Sequence, residues 1–109
     1  MEMNDDNVAI YEAGEDPVFK LSRSLVFEGD TVTELDLDLE SLTSDDLLAA
    51  ERQLTIHNKG NPTPVLEISK LYLAMVAARA AKVPFELIKS LPARDFSKIT
   101  IRVQNFLLG

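Results

Sequence analysis

At 109 residues, 46% hydrophobic and without cysteine, the chain has room for one compact domain with a modest core, and it cannot build a disulfide framework, a thiolate metal site or a cysteine nucleophile. Its net charge of −7 argues against generic nucleic-acid binding. No signal peptide is expected in residues 1–16, which lack a basic n-region and an apolar h-region, and no apolar run approaches the length of a bilayer span.

The charge is uneven. Residues 1–64 hold 15 acidic and 4 basic side chains, a net of −11, whereas residues 65–109 hold 3 acidic and 7 basic ones, a net of +4. Two readings follow: solvated faces of opposite sign, or halves that meet head to tail between subunits.

Residues 1–16 are expected to form a flexible acidic arm, because Val8, Ile10 and Tyr11 offer too little burial to offset the entropy of ordering it. Residues 17–109 are expected to form the single domain. From Pro17 to Phe27, Phe19, Leu21, Leu25 and Phe27 share one side and Lys20 and Ser22 the other, which predicts a half-buried strand. Glu28-Gly29-Asp30 supplies a tight turn in which the glycine takes positive φ. A second strand is predicted from Thr31 to about Leu39, with Leu35, Leu37 and Leu39 inward and Glu34, Asp36, Asp38 and Glu40 outward, so a hairpin spans about residues 17–39.

Thr43 can cap a first helix and Asp46 stands three residues on, as in a capping box, which predicts a helix over about 44–57. Asn58-Lys59-Gly60-Asn61-Pro62-Thr63-Pro64 stops it as an exposed loop whose glycine suits a helix C-terminus. Thr63 as cap and Pro64 as first helical residue predict a central helix over about 64–82. Val65, Ile68, Leu71, Tyr72, Met75 and Val76 share one face of it, Leu66 and Leu73 widen that face, and Glu67, Lys70, Ala74, Ala78 and Ala81 form a narrow strip where another backbone can approach closely. Val83-Pro84 ends this helix or kinks it. A short helix over about 84–91 and a last one over about 94–108 follow, with Phe96, Ile99, Val103, Phe106 and Leu107 on one face of the latter and Arg94, Lys98 and Arg102 on one side of it. The expected fold is α+β, an N-terminal β-hairpin packed on a bundle of three to four helices.

Little in this pattern carries chemistry. Asp36, Asp38 and Glu40 form a carboxylate run of the kind hard cations use, but the alternation of a solvated strand accounts for it. His57 has no companion cysteine or histidine with which to make a zinc site or triad, and there is no nucleophile elbow or glycine-rich phosphate loop. No catalytic, metal or cofactor site is expected, and the chain is not read as an enzyme. The candidate client or self-association face is Ile68, Leu71, Tyr72, Met75 and Val76 of the central helix with Phe96, Ile99, Val103, Phe106 and Leu107 of the last. So apolar a helix in so short a chain is expected to need cover from a companion.

The segments ELDLDLESLTSDDLLAAERQL and LYLAMVAARAAKVPFELIKSLPARDFSKITIRVQNFLLG resemble the small tail assembly chaperones of long-tailed bacteriophages and prophages. The shared pattern is a hairpin whose second strand carries an x-L-x-L run, then L-T-x-x-D-L-x-x-A-E at Leu42–Glu51 and an alanine-rich helix. It closes with V-P-x-E-x-I at Val83–Ile88 and a final V-x-x-F-L helix. The resemblance covers about Val18 to Gly109 and leaves the acidic arm out. It implies a non-enzymatic protein of the host bacterial cytoplasm, absent from the mature virion, that binds the tape measure protein and keeps its long helices soluble until the tail tube polymerises round them. It further implies a homo-oligomer, and as a further partner a longer, frameshifted version of the same chain, with no nucleic acid or membrane involved. The alternative reading is an acidic regulatory module that occupies a DNA-binding protein by mimicking its substrate.

Overall fold

The computed structural model describes residues 16–62 and 64–109, with Ile68 described by its backbone alone. The expected arm therefore lies outside the described residues apart from Asp16, as does the expected Thr63 cap.

The fold is α+β, a two-stranded antiparallel hairpin followed by four α-helices. Strand β1 (Val18–Phe27) pairs with β2 (Asp30–Asp36) through a two-residue turn in which Glu28 (φ 49°) and Gly29 (φ 86°) both have positive φ, as a tight hairpin requires. The pairing has two registers. Val18, Phe19 and Lys20 stand opposite Asp36, Leu35 and Glu34, whereas Leu25, Val26 and Phe27 stand opposite Val32, Thr31 and Asp30. Residues 21–24 of β1 thus face Thr33 alone, a wide bulge that takes their backbone out of the ladder.

Strand β2 stops at Asp36, short of the expected Leu39. The Leu37 amide still reaches across to the Pro17 carbonyl at 2.7 Å, but Leu39 N–H turns back to the Leu37 carbonyl and a 3₁₀ turn, Leu39–Ser41, begins. The inward leucines keep their alternation, since Leu35 and Leu37 are both buried.

Helix α1 (Ser44–His57) has the expected capping box. The Asp46 amide donates to Thr43 Oγ1 at 3.3 Å and the Thr43 amide to Asp46 Oδ2 at 2.9 Å, satisfying two amides of the first turn. Its exit uses Lys59 (φ 57°) as well as Gly60 (φ 87°) in the left-handed region.

Helix α2 (Lys70–Ala81) begins later than the expected residue 64. A separate 3₁₀ turn, Leu66–Ile68, comes first, and the helix starts where Ser69 Oγ accepts the Tyr72 amide at 3.3 Å. At its other end Lys82 (φ 56°) takes the left-handed position usual for glycine, with Val83 N–H donating to the Ala78 carbonyl at 3.0 Å, and Pro84 follows. Helices α3 (Phe85–Lys89) and α4 (Ala93–Leu108) lie close to the expected bounds.

Helix α2 is the centre of the molecule and packs against α1, α3, α4 and the hairpin. From Tyr72 to Ala80 only Arg79 is exposed. This corrects the expectation that the helix needs a companion to cover it. Phe19, Leu35 and Leu37 from the hairpin and its exit, Ala50 and Leu54 from α1, Phe85, Leu87 and Ile88 from α3, and Ile99 and Val103 from α4 join it in one core. Small side chains help, because Ala50, Ala74 and Ala77 are fully buried and let elements approach closely.

Candidate functional site

The expected client face does not survive as a surface. Tyr72, Met75, Val76, Ile99 and Val103 are each no more than 4% exposed, so half of the ten residues are interior to one copy of the chain. Leu71, Phe96 and Leu107 are half-buried against the core, Phe106 is 37% exposed, and the side chain of Ile68 lies outside what is described. The amphipathic spacing was read correctly, but its apolar side is the one the chain covers itself.

Among the exposed surfaces, which also hold Val26, Leu48, Ile56 and Val65, one lies on the other side of α4. Arg94, Lys98, Ile101, Asn105 and Leu108 follow steps of four, three, four and three and are all exposed, which makes one stripe along the helix. Ile101 is 48% exposed and Leu108 64%. Beside this stripe, between α4 and β1, runs an open groove of about 600 Å³, lined among others by Val18, Phe19, Lys20, Lys98, Ile101 and Asn105.

Two fixtures hold the groove. At one end Asp95, in the first turn of α4, is only 2% exposed, and its carboxylate accepts the Ser22 amide on both oxygens at 3.0 Å and the Ser22 hydroxyl on Oδ2 at 3.0 Å. The bulge is the reason: it takes the Ser22 amide out of the ladder, and the amide finds its acceptor in the Asp95 carboxylate instead. The helix start also favours the negative charge. At the other end the Arg102 guanidinium lies 5.3 Å over the Phe19 ring and donates from Nη1 to the Asp16 carbonyl at 2.9 Å. Asp16 Oδ1 in turn accepts the Val18 amide at 2.9 Å. Among the described residues neither Lys20 nor Lys98 has a salt-bridge partner, although Glu34 stands opposite Lys20 in the sheet register.

A second hollow between α1, α2 and α3 is structural. Arg79 donates from Nη2 and Nε to Asp46 Oδ1 at 3.0 and 3.2 Å, tying α2 to the capping box of α1. The Thr43 backbone amide first, and then the Arg79 guanidinium, hold the Asp46 carboxyl below its usual range. A carboxyl depressed on folding stabilises above its unfolded pKa, and that contribution is lost as pH falls through the lower folded value. Asp46→Asn is therefore expected to be less stable than the parent near neutrality, with the gap closing below the ordinary carboxylate range. Urea midpoints measured across acid pH check this, and a pH-independent gap would show that the cap does not hold the carboxylate.

Other sequence candidates are dispersed or structural. Because β2 ends at Asp36 and Glu40 lies in a 3₁₀ turn, Asp36, Asp38 and Glu40 do not line one strand face. Among the described residues no group of three or more His, Cys, Asp or Glu is placed to hold a metal ion. His57 meets the Phe85 ring edge-on at 6.3 Å, and Lys89 Nζ lies 5.4 Å from the same ring. Tyr72 donates its hydroxyl to the Leu47 carbonyl at 3.4 Å, and burial pushes its pKa up, helped by Glu67 and Glu51. Among the described residues no helix is long and apolar enough to cross a membrane.

Neither Ile101 nor the Ser22–Asp95 clasp stands out in the sequence. The stripe was legible in part: the spacing of Arg94 and Lys98 was noted, and extending it to Ile101, Asn105 and Leu108 needed only the same three-and-four count. No family model, curated protein or solved structure matches the chain.

Proposed function

We propose that the chain is a non-enzymatic tail assembly chaperone of a long-tailed phage or prophage, acting in the host bacterial cytoplasm on the tape measure protein. The observation that carries this reading is the exposed stripe on α4, where Ile101 and Leu108, seven residues apart, lie on the same side as Arg94 and Lys98. Such spacing matches a partner helix laid alongside, with apolar residues meeting at the seam and cations flanking it. The sequence pattern through the capping box, the Val83-Pro84 break and the closing helix supports the same family. A homo-oligomer and a frameshifted longer form belong to this reading as expectations. The acidic DNA-mimic alternative has less support, since it needs an ordered row of acids and β2 ends too early to supply one.

The test is co-expression with helical fragments of the tape measure protein from the same genome, followed by size exclusion. Co-elution and suppression of fragment aggregation are expected. Replacing Ile101 and Leu108 together by Glu is expected to weaken binding by roughly a hundredfold, since each large apolar anchor contributes about 1.5 kcal/mol or more. Thermal stability should stay near the parent's because both sites are exposed. Separate elution of the parent chain and fragments would overturn the proposal.

A further inference from the structure

We propose that the exposed stripe of α4 is the seat of helix α1 from a second copy of the chain. Helix α1 packs on α2, and its outer side carries Asp45, Leu48, Arg52 and Ile56 at steps of three, four and four, all exposed. Leu48 is 50% exposed and Ile56 78%, so with Ile101 and Leu108 one copy leaves two helix faces that each bear a pair of uncovered apolar side chains. Single exposed leucines are ordinary, but two pairs at matching helical spacing make a seam.

The spacing fits. Leu48 and Ile56 are eight residues apart and Ile101 and Leu108 seven, so along the helix axis the two pairs differ by a single rise of about 1.5 Å. Both apolar layers can therefore close at once.

Apolar spacing alone allows the two helices to run parallel or antiparallel, and charge decides between them. Antiparallel, with Leu48 level with Leu108, Lys98 comes level with Asn58 and next to the exposed Lys59, and Asp45 falls beyond the end of α4. Parallel, with Leu48 level with Ile101, Asp45 comes level with Lys98 and Arg52 with Asn105, and Ile56 falls one residue past Leu108. Among the described residues Asp45, Arg94 and Lys98 enter no salt bridge. The Asp16 carboxylate shares the groove beside Lys98 and weakens its field, whereas Arg94, one turn earlier on the stripe, does not line that groove. Charge thus sets direction and register, and the apolar layers carry the affinity.

The contact is heterologous, because each copy offers α4 to one neighbour and α1 to another. A seam of two layers is smaller than a permanent interface, so the association is weak and reversible. It also places the sister copy on Ile101 and Leu108, where a client helix would have to displace it. That competition rests on the proposed client function, whereas the contact between copies does not.

Sedimentation of the full chain from micromolar to about millimolar concentration tests the contact. The parent is expected to gain mass with concentration. Leu48→Glu with Ile56→Glu, and separately Ile101→Glu with Leu108→Glu, are each expected to stay monomeric. An equimolar mixture of these two double variants is expected to give a dimer and nothing larger, since one keeps the α4 stripe and the other the α1 face. All four positions are exposed, so the fold should survive. Where a double variant folds poorly, Lys98→Glu is the milder probe: it should weaken association severalfold, and adding Asp45→Lys should restore it. A parent that stays monomeric, a mixture that stays monomeric, or a parent dimer that either double variant leaves intact would overturn the proposal. Client binding is read separately by co-elution: the variant changed at Leu48 and Ile56 keeps its α4 stripe and should bind tape measure fragments at least as well as the parent. Failure of that binding would count against the client alone and leave the sedimentation result standing.

Discussion

Ile99→Ala lowers folding stability by about 3 kcal/mol, and the melting temperature falls by roughly 15 °C for a domain of this size. Ile99 is completely buried midway along α4, in the same core as Met75, Val76, Ile88 and Val103. Truncation removes three carbons from a site that rigid neighbours cannot fill, so a cavity term adds to the lost transfer energy. Helix propensity argues the other way, because alanine is the better helix former by a few tenths of a kcal/mol. The contrast is Ile101→Ala, two residues on and 48% exposed, where the effect should stay within about 0.5 kcal/mol. Urea denaturation of both variants decides the matter. If Ile99→Ala behaves like Ile101→Ala, the inner face of α4 is not in the core.

Asp95→Ala is the second large effect, at roughly 2–4 kcal/mol. Three bonds from Ser22 end on this carboxylate, and hydrogen bonds to charged groups are individually the stronger kind. Alanine would remove the carboxylate that accepts the Ser22 amide and hydroxyl, and with it an acid from the first turn of α4, itself worth about 0.3–1 kcal/mol. Desolvation of the carboxylate works against the native pair, but alanine recovers none of it as packing. Ser22→Ala should cost only about 1 kcal/mol, because the backbone amide keeps its acceptor. The double variant should be scarcely worse than Asp95→Ala alone, since the hydroxyl has nothing left to bond. Denaturant midpoints for the three variants measure this, and strict additivity would show that Ser22 and Asp95 act separately.

The hairpin, the bounds of α1 and the short α3 were legible because local chemistry sets them. Thr43 and Asp46 form the box that their spacing announces, and Gly29 takes the positive φ its turn demands. The start of α2 was misread because Pro64 is a good opening residue, whereas the helix instead begins where the Ser69 hydroxyl caps Tyr72. The leucine alternation after Leu35 was right about burial and wrong about strand length, since an inward side chain does not require a ladder bond. The candidate face failed for a deeper reason. Periodicity identifies an apolar side of a helix but not what will cover it, and here the hairpin and the other helices cover α2 and the inner side of α4. The Ser22–Asp95 clasp joins residues 73 apart in sequence through a bulge, and no local pattern announces it.

That bulge divides the hairpin into two short ladders with different attachments. The inner one is anchored, by Phe19 and Leu35 in the core and by the clasp on α4. The outer one, from Leu25 round the turn to Val32, buries nothing completely and leaves Val26 70% exposed. Because Leu25, Phe27 and Val32 still lean on the core, only the turn beyond them, residues 28–30, is the natural place for an insertion or a reporter graft.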